Sequence, residues 1–167
     1  MNLQAINLLF EGVKVVDALT LVSPSTSTPD YVSMKGWRKC AMLMSFKSHA
    51  TLSSAMVITV KQATAVAGTS EKALAFTKAY RNIDCGAADA LAEFTVTSNT
   101  FTTDATAAKV MHYLIDIDVN TLDHANGFDC VRLGVADPAN ATVGFSATYF
   151  LYGGRYLSNP PPAAITD

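Results

Sequence analysis

The stretch Val110–Val119, VMHYLIDIDV, decides the fold. Its apolar residues recur at every second position. Met111, Tyr113, Ile115, Ile117 and Val119 share one face, while His112, Asp116 and Asp118 share the other with Val110 and Leu114. Successive side chains of an extended strand point to opposite sides, whereas a helix of about 3.6 residues per turn would scatter these five around its circumference. The segment is therefore predicted to be a strand with one face on a core and the other toward water.

The same texture extends on both sides. Lys39–Phe46 places Cys40, Met42, Met44 and Phe46 on one face, and Ala55–Gln62 sets Met56, Ile58 and Val60 opposite Val57, Thr59 and Lys61. Further strands are predicted at Tyr31–Met34, Leu74–Tyr80, Ala92–Thr97, Phe128–Val135 and Val143–Leu151. In the third-last of these runs Phe94 and Val96 are the centre, and in Leu74–Tyr80 the residues Leu74, Phe76, Lys78 and Tyr80 fall on one side. Turn-forming Gly, Asn, Asp, Ser and Pro separate the runs, at strand spacings of roughly 10 to 18 residues. Ala87–Glu93 and Asn120–His124 carry weak helical signals of a turn or two. The expected fold is mainly β, an antiparallel, jelly-roll-like β-sandwich with extended N- and C-terminal arms.

Three regions follow from this reading. Residues 1–29 form an N-terminal arm and linker, 30–157 the sandwich, and 158–167 a Pro-rich C-terminal arm. Met1–Ala18 fits either a strand or a short amphipathic helix, and Val22–Asp30 with Pro24 and Pro29 reads as an exposed linker. Pro160, Pro161 and Pro162 give the tail polyproline character.

The chain has 167 residues, of which 50% are hydrophobic and only 16% charged. An ordinary soluble domain carries about a quarter charged residues, so this surface is expected to be partly buried against copies of itself or a larger assembly. A net charge of −2 does not draw it to nucleic acid or to an anionic membrane. Lys35, Arg38 and Lys39 around Trp37 form the tight basic cluster, read as a solvated strand start beside a half-buried ring. The run Leu3–Leu21 is interrupted by Asn7, Glu11, Lys14 and Asp17, which argues against a membrane span and a signal peptide. The chain is expected to be made in a cytoplasm and to remain there or leave inside an assembly.

Motifs that carry chemistry fail one by one. Asp116-x-Asp118-x-Asn120 begins like a calcium loop, but the sixth and twelfth positions hold Thr121 and Gly127 instead of Gly and Glu. His49, His112 and His124 lack a metal-binding spacing, and Cys40, Cys85 and Cys130 stand about 45 residues apart, without a zinc or redox pair. They are expected to be reduced and structural. A Ser-His-Asp set exists only as an inventory, and no phosphate loop is present. Gly153-Gly154-Arg155 reads as a corner, and Asn140-Ala-Thr142 as a glycosylation pattern without a secretory context. No catalytic, cofactor-binding or metal residue is expected.

Several stretches together carry a resemblance. They are Asp30–Met34, Val60–Thr69 with Lys72–Phe76, Val96–Phe101, Asp116–Asp123, Asn126–Cys130, and Tyr149–Tyr156 followed by Ser158–Asp167. From about residue 30 onward the chain resembles small virion-associated structural proteins of tailed bacteriophages and prophages. The resemblance implies a β-sandwich that coats or cements a head, or sits at the neck or tail, with no catalytic residues to carry over. The length, and the lack of a long spine helix, set it apart from a main shell subunit.

The expected function is accordingly that of a capsid cement or decoration protein. It would form a homo-oligomer, dimer or trimer, and bridge major capsid protein or other virion subunits in a virion assembled in the host bacterial cytoplasm. Ile6, Leu8, Phe10 and Val13 at one end and Pro160, Pro161, Pro162 and Ile165 at the other are the expected partner contacts. The alternative is a carbohydrate- or receptor-binding module of a tail, neck or fibre, using Trp37, Tyr152, Tyr156 and Arg155. An enzyme built on the Asp-rich 116–129 segment is the third reading, and the missing motifs speak against it.

Overall fold

Alternating apolar residues can be buried only if strands pair into sheets and the sheets face each other. The computed structural model describes residues 12–22, 28–51, 55–136, 143–154 and 164–165. Its strands are β1 (Val13–Val22), β2 (Val32–Ser33), β3 (Lys39–Lys47), β4 (Val57–Ala63), β5 (Lys72–Ala73) and β6 (Lys78–Asn82). They continue with β7 (Ala92–Thr95), β8 (Thr100–Thr102), β9 (Val110–Asp118), β10 (Cys130–Val135) and β11 (Phe145–Tyr152). Two 3₁₀ turns, Val119–Thr121 and His124–Asn126, connect β9 to β10.

The larger sheet runs β1-β11-β3-β9-β6-β7 and the smaller one β2-β10-β4-β5, with β8 also pairing β4. Every pairing is antiparallel. With β6, β7 and β8 set aside, the remaining eight strands are ordered first-eighth-third-sixth in one sheet and second-seventh-fourth-fifth in the other. That winding is a jelly roll, and the expected β-sandwich is the architecture found.

The decisive segment behaves as read. Across β3 and β9 the register pairs Cys40 with Ile117, Met42 with Ile115 and Met44 with Tyr113, all of them buried. Ile58 and Val60 on β4 and Val131 and Leu133 on β10 meet them from the smaller sheet in one core. One end of this interior is aromatic. Phe101 stacks on Tyr113 at 5.5 Å between ring centres and meets Phe94 edge-on at 5.1 Å. Side chains thus fill the space between the sheets.

Three expectations change. Leu74, Phe76, Lys78 and Tyr80 do not share a face. Leu74 and Phe76 are buried, and then Ala79 takes the inward position while Lys78 and Tyr80 point outward. The chain leaves the smaller sheet at Ala73 and enters the larger one at Lys78, so the alternation restarts. Ala87–Glu93 is not helical; a turn at 85–87 leads into β7, which already includes Ala92 and Glu93.

The third change concerns the arms. Residues 13–22, read within the N-terminal arm, are sheet strand β1, paired with β11 from Val13↔Tyr152 onward, with Val16, Ala18 and Leu19 buried. Its period-two face outweighs the helical pattern because β11 offers a complete ladder of backbone partners. At the other end Ala164 is 1% exposed, and its carbonyl accepts the Ser33 N–H at 2.7 Å. That point of the tail is fastened to the β2 edge rather than held out as an arm.

Candidate functional site

The Asp-rich segment is dispersed by its own hydrogen bonds. Asp116 accepts Lys39 Nζ at 2.9 Å and the Tyr152 hydroxyl at 2.7 Å, one on each oxygen. Asp118 turns to the N–H of Asn120 and caps the 3₁₀ turn. Asp123 pairs with Lys72 and Asn126, which hold its carboxyl below the usual range. Asp129 lies 3.3 Å from Lys35. Among the described residues no group of three or more His, Cys, Asp or Glu is gathered as a metal site.

A second charged cluster crosses the outer face of the smaller sheet. Lys61 and Arg132 stand opposite each other on β4 and β10, and Glu71 lies between them, paired with both. The Tyr31 hydroxyl donates to Glu71 at 2.8 Å, and the Arg132 guanidinium lies 4.8 Å from the Tyr31 ring centre. Hydrogen bonds from Lys61 and Tyr31, helped by Arg132, hold the Glu71 carboxyl low; burial and the bond to Glu71 push the Tyr31 phenol up. These groups form a salt-bridge network centred on Glu71, which leaves the buried Nε of Arg132 without a hydrogen-bond partner.

Ser45 and His112 face each other across β3 and β9, with Oγ 2.7 Å from Nδ1. That separation suits a nucleophile and its base, but catalysis also needs a group to orient the ring and donors for a developing oxyanion. Both residues lie on a sheet's outer face, and a cross-strand polar pair accounts for the contact. The two-residue period puts His112 on that face, and the β3–β9 register sets Ser45 opposite it.

Clefts are small. One of about 340 Å³ is lined by Met34, Trp37, Val119, Asn120, His124 and Asp129, and one of about 290 Å³ lies beside Tyr31 and Arg132. Small-molecule sites usually occupy roughly 300 to 1,000 Å³. Trp37 is 3% exposed, so its ring offers no platform for a sugar. Tyr152 is committed to Asp116, while Arg155 and Tyr156 lie outside the described residues. Burial accounts for Cys40 and Cys130, and Cys85 is half-buried; among the described residues none of the three is in a disulfide.

Of the expected partner contacts, Ile6, Leu8, Phe10, Pro160, Pro161 and Pro162 lie outside the described residues. Val13 is paired to Tyr152 in β1, and Ile165 is 58% exposed beside the fastened Ala164. What sequence reasoning missed is the outer face of the larger sheet. The register aligns Val15, Phe150 and Ala41 in one row that ends at Asp116, and places Leu43 beside Leu114 in the next, between Thr148 and Tyr80. Val15 is 49% exposed, the others are half-buried, and none belongs to the core. The outward positions of Lys39–Phe46 carried the signal: they include Ala41 and Leu43 where a wet face would be polar. Among the described residues no helix is long and apolar enough to cross a membrane. No protein-family model, curated protein or solved structure matches the chain.

Proposed function

We propose that this chain is a structural virion subunit, a decoration or cement protein that stabilises the head of a tailed phage by bridging shell subunits as a small homo-oligomer. The observation that supports the reading is the apolar band on the outer face of the larger sheet. The smaller sheet presents the Lys61–Glu71–Arg132 network, while the larger presents Val15, Ala41, Leu43, Leu114 and Phe150 beside the Lys39–Asp116–Tyr152 cluster and the Ser45–His112 pair. An apolar band of this kind on a rigid sheet is a surface for association. The chain works by burying that band against its neighbours, a role that needs no catalytic group, metal or cofactor.

The fold adds a supporting analogy, since jelly rolls recur among viral capsid domains as well as lectins and cupins. Particles made without this chain test the reading. They are expected to assemble and then to release their genome at a lower temperature than complete particles, with restoration on adding the purified protein back. Unchanged particle stability would end the cement reading.

A further inference from the structure

We propose that Asn126 is a site of spontaneous covalent modification, at which the main-chain nitrogen of Gly127 displaces the side-chain amide, and that Asp123 restrains the reaction. The proposal stands apart from the structural-subunit reading. Of all the asparagines in the chain, Asn126 alone precedes a glycine. Gly127 has no Cβ to shield its nitrogen from the neighbouring side chain. Asn82, Asn99 and Asn120 precede Ile83, Thr100 and Thr121, whose branched side chains crowd the same approach. Asn126 and Gly127 are both exposed in the β9–β10 connection, where Gly127 ends the second 3₁₀ turn in left-handed backbone at φ 79°.

The chemistry needs only water and hydroxide. Hydroxide takes the proton of the Gly127 nitrogen, which then bonds to Asn126 Cγ. The Cγ–Nδ2 bond breaks, and Nδ2 leaves as ammonia with a proton from water. Water next opens the resulting five-membered imide at either carbonyl. One opening restores the main chain and leaves Asp at this position; the other routes the chain through the side chain as isoaspartate.

In the closed turn both reacting groups are held. Asn126 Nδ2 donates to Asp123 Oδ2 at 2.8 Å, and the Gly127 N–H donates to the His124 carbonyl at 3.0 Å. Asp123 is itself seated on the smaller sheet: its N–H donates to Gln62 Oε1 at 2.9 Å, and its carboxylate pairs with Lys72. The nitrogen is therefore free to attack only when the turn opens locally. After the reaction a second carboxylate stands beside that of Asp123 in place of a donor. Like charges then oppose each other where a hydrogen bond had closed the turn.

Peptide mapping by mass spectrometry tests this on the full chain, aged at mildly alkaline pH both folded and in urea. Asn126 is expected to convert to two products, Asp and isoaspartate, ahead of Asn82, Asn99 and Asn120. Conversion in the folded chain should run about tenfold slower than in urea, because the turn must open first. Asp123→Ala removes one restraining hydrogen bond and should speed the folded-state reaction about fivefold. Asp123→Asn keeps an acceptor for Asn126 and should stay near the wild-type rate. If Asp123→Ala loses its cooperative melt, the wild-type ratio of folded to urea rates and the Asp123→Asn rate decide. Equal rates folded and in urea, or a folded Asp123→Ala no faster than wild type, would overturn the restraint. A folded chain still unmodified at Asn126 after about ten times the period that completes conversion in urea would overturn the site.

Discussion

The hydroxyl of Tyr149, on β11 in the larger sheet, accepts the main-chain N–H of Leu133, on β10 in the smaller sheet, at 2.9 Å. It also donates to the carbonyl of Asp30 at 3.1 Å. β2 covers only Val32 and Ser33, so β10 would otherwise continue past its neighbour with an unpaired N–H. A side chain crossing the sandwich completes the ladder there, since Tyr149 is fully buried.

Tyr149→Phe keeps the ring and removes that bridge. The buried N–H of Leu133 and the part-buried carbonyl of Asp30 lose their partner, at a cost of about 2 kcal/mol. For a chain of this size the melting temperature should fall by about 6 °C. Calorimetry checks it, and an unchanged melt would show that water replaces the hydroxyl.

Alkaline pH should destabilise the fold through the same residue. Burial raises the phenols of Tyr149 and Tyr113 above their ordinary value. Below about pH 10 both are neutral in the folded and unfolded chain, so their contribution is fully present. Above it the unfolded state ionises first and stability falls, by up to about 1.4 kcal/mol per pH unit for each phenol. Denaturant titrations at pH 9, 10 and 11 should show this decline, and Tyr149→Phe should make it shallower without removing it.

Gly134 on β10 lies directly opposite Thr59 on β4, and a methyl group on it would overlap the Thr59 hydroxyl. Gly134→Ala should cost about 1–3 kcal/mol by overpacking. Adding Thr59→Ala should recover most of that loss, a coupling that a double-mutant cycle measures. Equal losses in the single and double variants would rule out the clash.

Calcium should have no effect on stability. Asp116 already serves Lys39 and Tyr152, and Asp123 serves Lys72 and Asn126. Binding would have to break these pairs before gaining ligands. Addition of millimolar calcium, or of a chelator, is expected to move the melting temperature by less than about 1 °C; a rise of several degrees would reveal a site.

Removing residues 164–167 deletes the carbonyl that accepts Ser33 N–H and uncovers the place of buried Ala164. The truncated chain should remain folded but lose about 1–2 kcal/mol. An unchanged melt would mean that this end acts as an arm after all.

The strands were legible where one chain segment stays in one sheet. Val110–Val119 and Lys39–Phe46 each carry an unbroken two-residue period, because their neighbours present the core on one side throughout. Leu74–Tyr80 misled because a change of sheet resets the alternation, and that event depends on distant strands β4 and β9. β1 remained open between strand and helix for a related reason: its partner, β11, is more than a hundred residues away. The apolar outer band was written in Ala41 and Leu43 but needed the register to β9 and β11 before it became a patch. Nothing local distinguishes Tyr149 from its neighbours on β11, since its partners come from Asp30 and Leu133.

The proposed role has this jelly roll acting through its surfaces as a subunit of a particle. The most direct measurement is the number of copies of this chain per main shell subunit in purified virions, by quantitative mass spectrometry. A constant, simple ratio retained through repeated density-gradient purification is the predicted result. Loss of the chain from particles whose shell stays intact and stable would contradict it.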